Sequence, residues 1–169
     1  MKEMFEKTGV QSPEIVRSVF PPIERINRGP VAVIECYQRI PCNPCATACK
    51  AGAIKPFEDI NDRPDIDFER CTGCGLCVSK CPGLSIMLVD GSRSEENVVF
   101  SIPYEFLPLP QENDYVDALD RAGESIGKAK ILKVINRSYQ DRTPIIQVEI
   151  SREKMYLFRN IKIGGNLNG

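Results

Sequence analysis

The sequence predicts an α+β chain in two parts, a duplicated cysteine-bearing unit followed by a small antiparallel β module. Three observations carry this. The stretch from Cys71 to Pro82 reads CTGCGLCVSKCP, with three thiols at steps of three and a fourth, Cys81, four residues on. The spacing recurs upstream: Cys42, Cys45 and Cys49 precede Cys74, Cys77 and Cys81 by 32 positions each, and Ile54 precedes Ile86 by the same interval, so the region is an internal repeat of one supersecondary unit. Beyond Asp90 there is no cysteine, and short runs alternate apolar with polar residues.

In chain order, residues 1–30 read as an N-terminal arm. Ser12 followed by Pro13 and Glu14 is a helix start, Ile15, Val16 and Val19 are its apolar side, and Pro21-Pro22 stops it within about two turns. A helix that short needs support, either from its own domain or from a partner subunit on which the arm docks. Val31 to Cys36, VAVIEC, reads as a strand by its β-branched content. Ala51 to Ile54 is expected to be a second strand and Ile66 to Phe68 a third, with Pro56, Asn61, Asp62 and Pro64 marking loop between them. Ile54, Phe57, Ile66, Phe68, Leu84 and Ile86 are the residues expected to cover the site.

The thiol spacing names the chemistry. C-x2-C-x2-C-x3-C-P lets a tight loop wrap one [4Fe-4S] cubane with its first three thiolates, while the fourth is carried past it to a second cubane. Two [4Fe-4S] clusters are therefore expected, one held by Cys71, Cys74 and Cys77 with Cys49, the other by Cys42 and Cys45 with Cys81. The upstream copy has Arg39 where Cys71 would repeat and Lys50 where Pro82 would. Cys36 is the one thiol left over, so it is expected to complete the cluster of Cys42, Cys45 and Cys81; the alternative is a buried structural thiol. Eight thiolates also suit two zinc ions, but zinc ribbons pair distant C-x2-C knuckles instead of stepping three thiols along one loop. Arg39 and Lys50 read as solvated charges or helix-end partners, either of which would raise the potential of the first cluster if close to it.

The run Cys71, Cys74, Cys77, Cys81, Pro82 resembles that of the two-cluster bacterial ferredoxins. The resemblance implies a ferredoxin-type dicluster domain over residues 31–91, built as two pseudo-symmetric βαβ-like halves. A narrower resemblance lies in GPVAVIECYQRIPCNPC, which is similar to the small iron-sulfur subunits of FAD-dependent dehydrogenases that oxidise proline, hydroxyproline or opines. It implies a FAD-containing dehydrogenase subunit as partner, with electrons passing from flavin through this chain toward further iron-sulfur or flavin subunits.

After Asp90, GSRSEEN is a charged loop, Val98 to Ile102 a strand, YEFLPLP an extended connector, and YVDALDRAGESIGKAKILKVI a hairpin turning near Ala122 and Gly123. Ile146, Val148 and Ile150 alternate with polar neighbours, and MYLFRNIKI adds a last strand. Residues 92–169 are thus expected to form a small β-barrel or sandwich that docks a partner, and a chain ending near Ser92 is expected to keep both clusters.

Composition bounds the function. The 169 residues contain no histidine, which removes Rieske ligation and the commonest general base, and no nucleophile, P-loop or dinucleotide pattern supplies a catalytic site. A net charge of -1 with scattered Lys and Arg argues against nucleic acid. No window approaches the ~18 apolar residues of a membrane span, and MKEMFEKTGV lacks the apolar core of a signal peptide, so the expectation is a cytoplasmic chain without direct membrane insertion. Electron transfer by a subunit of a larger oxidoreductase is the expected function; the alternatives are a free-standing ferredoxin and a docking module whose clusters are architectural.

Overall fold

The computed structural model describes residues 2–164. The arm contains three short helices, α1 (Lys2–Thr8), α2 (Pro13–Ser18) and α3 (Ile23–Ile26), of which only α2 carries a start signal in the sequence. Ser12 caps α2 by accepting the Ile15 N–H, and Pro13 occupies its first turn, where a missing N–H costs nothing. Val16, Phe20 and Ile26 are buried in the main core, so the arm is folded back onto its own chain. Phe5 of α1 meets the Tyr37 ring edge-on at 5.8 Å.

Seven antiparallel strands follow: β1 (Val31–Ile34), β2 (Ile86–Asp90), β3 (Asn97–Pro103), β4 (Tyr115–Leu119), β5 (Ser125–Ile135), β6 (Ile145–Ser151) and β7 (Asn160–Lys162). They form one sheet in the order β1-β2-β3-β6-β5-β4-β7. The β4–β5 turn is where Gly123 was expected to place it: the Asp120 carboxylate accepts the N–H groups of Ala122 and Glu124, and Gly123 takes a φ of 84°.

The expected boundary between residues 91 and 92 falls in the β2–β3 hairpin, and the sheet is continuous across it through Leu88↔Ser101, Val89↔Phe100 and Asp90↔Val99. The described residues beyond 91 therefore continue the sheet of β1 and β2 instead of forming a separate barrel or sandwich. One face of the single sheet carries a core to which all seven strands contribute, among them Val33, Met87, Phe100, Val116, Ile131, Val148 and Ile161, closed by Phe20, Ile26 and Phe158. The sheet curls around this core until its two edges approach, and there Glu35, just past β1, pairs with Arg121 and with Arg159, which flank β4 and β7. Side-chain ion pairs link the edges where a closed barrel would have a backbone ladder.

β1 and β2 are buried along their whole length. Their alternate residues Ala32, Ile34, Ile86 and Leu88 face a second core containing Cys45, Ile54, Cys77 and Val78, while Val31, Val33, Met87 and Val89 face the first. This is why VAVI and IMLV read as unbroken apolar runs instead of alternating ones. The cysteine region carries only two helices, α4 (Pro44–Ala48) and α5 (Leu76–Lys80), which occupy equivalent positions of the two sequence copies. The strands expected at Ala51–Ile54 and Ile66–Phe68 shrink to a single bridge, Ile54↔Ile66, because Pro56 and Pro64 cannot donate to a longer ladder. Ile34↔Ile86 is the corresponding pair at the end of β1, and both pairings join one copy to the other.

Candidate metal centre

Four of the thiols surround one cavity. Cys49, Cys71, Cys74 and Cys77 line it together with Ala32, Ile54, Ile66 and Leu88, the apolar residues of β1, β2 and the bridge. Local backbone chemistry sets three of them. Gly73 and Gly75 adopt φ of 66° and 78°, which lets the loop turn twice within five residues before α5 begins at Leu76. A Cβ on Gly73 would collide with the Pro30 carbonyl, so this loop lies directly on the chain entering β1. Cys77 sits in the first turn of α5 and is buried; Cys74 is exposed. Cys49 arrives from the C-terminal end of α4.

The remaining thiols form a second neighbourhood. Burial pushes the Cys45 thiol up to about 11, opposed by a backbone hydrogen bond from Ala46 and reinforced by Cys81, Cys36 and Cys42. Burial raises Cys36 as well, again with Cys81 and Cys42 nearby. Cys77 is pushed up to about 12, first by burial and then by Cys71, Cys74 and Cys49, with Cys45 the one neighbour from the other group. One cavity thus gathers Cys49, Cys71, Cys74 and Cys77, and Cys45 and Cys36 each feel Cys81 and Cys42. Cys36, Cys45 and Cys77 thus resist ionisation unless a cationic centre compensates them, which is what iron-sulfur ligation provides.

The donor set and surroundings fit that group. Backbone N–H groups of Ile54 and Ser85 donate to the sulfurs of Cys49 and Cys81, each at 3.4 Å, the kind of bond that steadies a ligating thiolate. Among the described residues no three Cys, Asp or Glu side chains form a single-ion site, whereas a cubane, whose thiolates sit on separate irons, does not need them to converge on one point.

Arg39, a candidate for tuning the first cluster, is largely exposed and pairs with Asp62 at 2.6 Å. Another charge, Arg159, interacts electrostatically with Cys81. Arg121 binds Glu35 and the carbonyls of Tyr156 and Leu157, and Arg159 donates to the Leu84 carbonyl, three residues past Cys81. The Tyr37 hydroxyl is buried beside them, and burial raises its pKa, with Glu35 adding to the shift and Arg121 and Arg159 opposing it. No spacing rule pointed to these residues, since Glu35 and Arg121 lie 86 positions apart.

Residues 38–83 match the 4Fe-4S dicluster domain. The match takes in seven of the eight cysteines and leaves Cys36 outside. Curated relatives align over the same region. The chain is 45% identical over 49 residues to a subunit of the ion-translocating oxidoreductase complex of Methanosarcina acetivorans, covering 29% of this chain and 17% of that protein. It is 42% identical over 55 residues to the NADH-quinone oxidoreductase subunit I of Pelobacter propionicus, covering 27% of this chain and 30% of that one. Pyruvate synthase subunit PorD of Methanocaldococcus jannaschii is 40% identical over 43 residues, covering 25% and 48%. The chain spans less than half the length of these relatives. No solved structure matches it. No helix among the described residues is long and apolar enough to cross a membrane.

Proposed function

We propose that this chain is an electron-transfer subunit of an oxidoreductase complex, holding two [4Fe-4S] clusters through Cys36, Cys42, Cys45, Cys81 and through Cys71, Cys74, Cys77, Cys49. The observation that carries the reading is the gathering of Cys49, Cys71, Cys74 and Cys77 around one apolar-walled cavity, with Cys36, Cys45 and Cys81 packed in the same second core. When bound, each cluster takes up and releases one electron at a time. The protein's part is to supply thiolates, to donate N–H bonds from Ile54 and Ser85 to sulfur, and to exclude water with Ala32, Ile54, Ile66 and Leu88. Interleaved pairing of the two copies through Ile34↔Ile86 and Ile54↔Ile66 supports two pseudo-symmetric halves, each sending its last cysteine to the other's cluster. That the aligned relatives are named as subunits supports a role within a complex. The residues beyond the clusters supply the docking surface in this reading, with Phe106 and Leu107 exposed side by side on one loop.

Iron and acid-labile sulfide analysis is expected to give about eight of each per chain, with reversible one-electron reduction of both clusters. Four or fewer irons with stoichiometric zinc would overturn the reading, and redox-silent clusters would leave the architectural alternative. A finer reading makes the partner a FAD-containing dehydrogenase subunit, on the strength of GPVAVIECYQRIPCNPC. Co-purification from the native source should then bring down a flavoprotein; a flavin-free complex excludes it.

Cys36 is the ligand outside the matched region, and its substitution is a separate check. Cys36→Ala is expected to convert one cluster to a three-iron form or lose it, seen as a new paramagnetic signal in the oxidised protein or as iron falling toward half, while the Cys71 cluster stays intact. Two unchanged cubanes in the variant would make Cys36 a structural thiol.

A further inference from the structure

Arg25 is a buried cation outside the thiol loops, 8% exposed, and sits in the last turn of α3. Its guanidinium donates four hydrogen bonds, all to backbone carbonyls. Nε reaches Phe68 at 2.8 Å, Nη1 reaches Gly29 at 3.1 Å, and Nη2 reaches Pro30 at 3.2 Å and Cys71 at 2.6 Å. Three segments are tied by one side chain: the arm, the chain entering β1, and the loop that begins the Cys71–Cys77 run. The ion pairs of the described residues give Arg25 no carboxylate partner. Its neighbour Arg28 pairs with Glu69, but that pair is exposed.

A buried guanidinium without a counter-charge is costly, and carbonyl dipoles satisfy its donors without cancelling its charge. The opposite holds at the other end of β1, where Glu35 lies against both Arg121 and Arg159. The group placed to compensate Arg25 is the anionic centre that four thiolates would bring to the cavity behind Cys71. We propose that Arg25 is a positioning residue for the cluster bound through Cys71, Cys74, Cys77 and Cys49: it fixes the Cys71 backbone from outside the motif, and its uncompensated positive charge raises that cluster's reduction potential. The inference rests on the dicluster reading above.

The two roles separate by substitution. Arg25→Gln removes the charge and keeps a polar amide; Arg25→Lys keeps the charge and loses the planar fork that reaches four carbonyls. Each variant is loaded with iron and sulfide, and the two potentials are measured by redox titration followed by electron paramagnetic resonance. The Cys71-side signal is assigned as the one altered in Cys74→Ser. In Arg25→Gln that cluster is expected to become about tenfold harder to reduce, a fall of about 59 mV for a one-electron couple, with the other cluster unmoved. Arg25→Lys is expected to keep both potentials and to lose the same cluster faster to a chelator. Loaded Arg25→Gln with two unchanged potentials overturns the charge role. If Arg25→Gln fails to load, Arg25→Lys decides: wild-type potentials uphold the proposal, and a shifted potential or failure to load overturns it. Failure of the dicluster reading shows separately, as a wild-type chain without two reducible clusters.

Discussion

Glu35→Ala is expected to lower folding stability by about 3 kcal/mol, because it leaves the half-buried Arg121 and Arg159 facing each other without an anion. Glu35 is 6% exposed at its side chain, Arg121 11% and Arg159 23%, so water can do little to replace the lost carboxylate. Burial already presses the Arg159 pKa down, and Glu35 is the main group opposing that. The triad also joins the two edges of the curled sheet, so its loss should loosen β1 against β4 and β7. Cys36 follows Glu35 directly and Arg159 holds the Leu84 carbonyl near Cys81. The variant should therefore release iron from the cluster of Cys36, Cys42, Cys45 and Cys81 first. Denaturant unfolding of the loaded protein, with iron counted in parallel, measures both effects. A loss below about 1 kcal/mol would place this triad with ordinary surface ion pairs.

A chain ending after Gly91 is expected not to fold around its clusters. Val31, Val33, Met87 and Val89 are each no more than 1% exposed in the full chain, and their packing partners on β3, β5, β6 and β7 would be gone. Burying one such side chain is worth about 1.5–3 kcal/mol, so four of them represent on the order of 6–12 kcal/mol against a typical net stability of about 5–15 kcal/mol. The hairpin turn is also held from beyond the cut, since Arg152 donates to the Gly91 carbonyl at 2.7 Å and to Asn27 of the arm at 2.8 Å. The fragment should show no cooperative unfolding and bind iron substoichiometrically. A fragment of residues 1–91 that carries two clusters and melts cooperatively would restore the independent domain that composition suggested.

Much of the site was legible because its chemistry is local. Steps of three and four between thiols constrain a loop whatever surrounds it, and a repeat displaced by 32 positions places α4 and α5 in equivalent settings before any contact between them is known. Alternation of apolar and polar residues likewise located β3, β5 and β6, and Asp120 with Gly123 located a turn, because each signal depends on neighbours in the chain.

What the chain alone left open depends on which faces meet. VAVI and IMLV look the same as strands of a small separate domain or as the shared wall between two cores, and only the pairing of β2 with β3 makes them the latter. Arg25, read along the sequence, is a solvent-facing charge at the end of a short helix; it is buried because the Phe68 and Cys71 carbonyls come to it from more than 40 positions away. Glu35 meets Arg121 only because the sheet curls far enough to bring its edges together. The thiol pattern determined that four-iron clusters would be held, since ligand spacing is a property of a few consecutive residues; the buried charges around the cysteines were decided by the tertiary fold, since long-range electrostatics has no local signature.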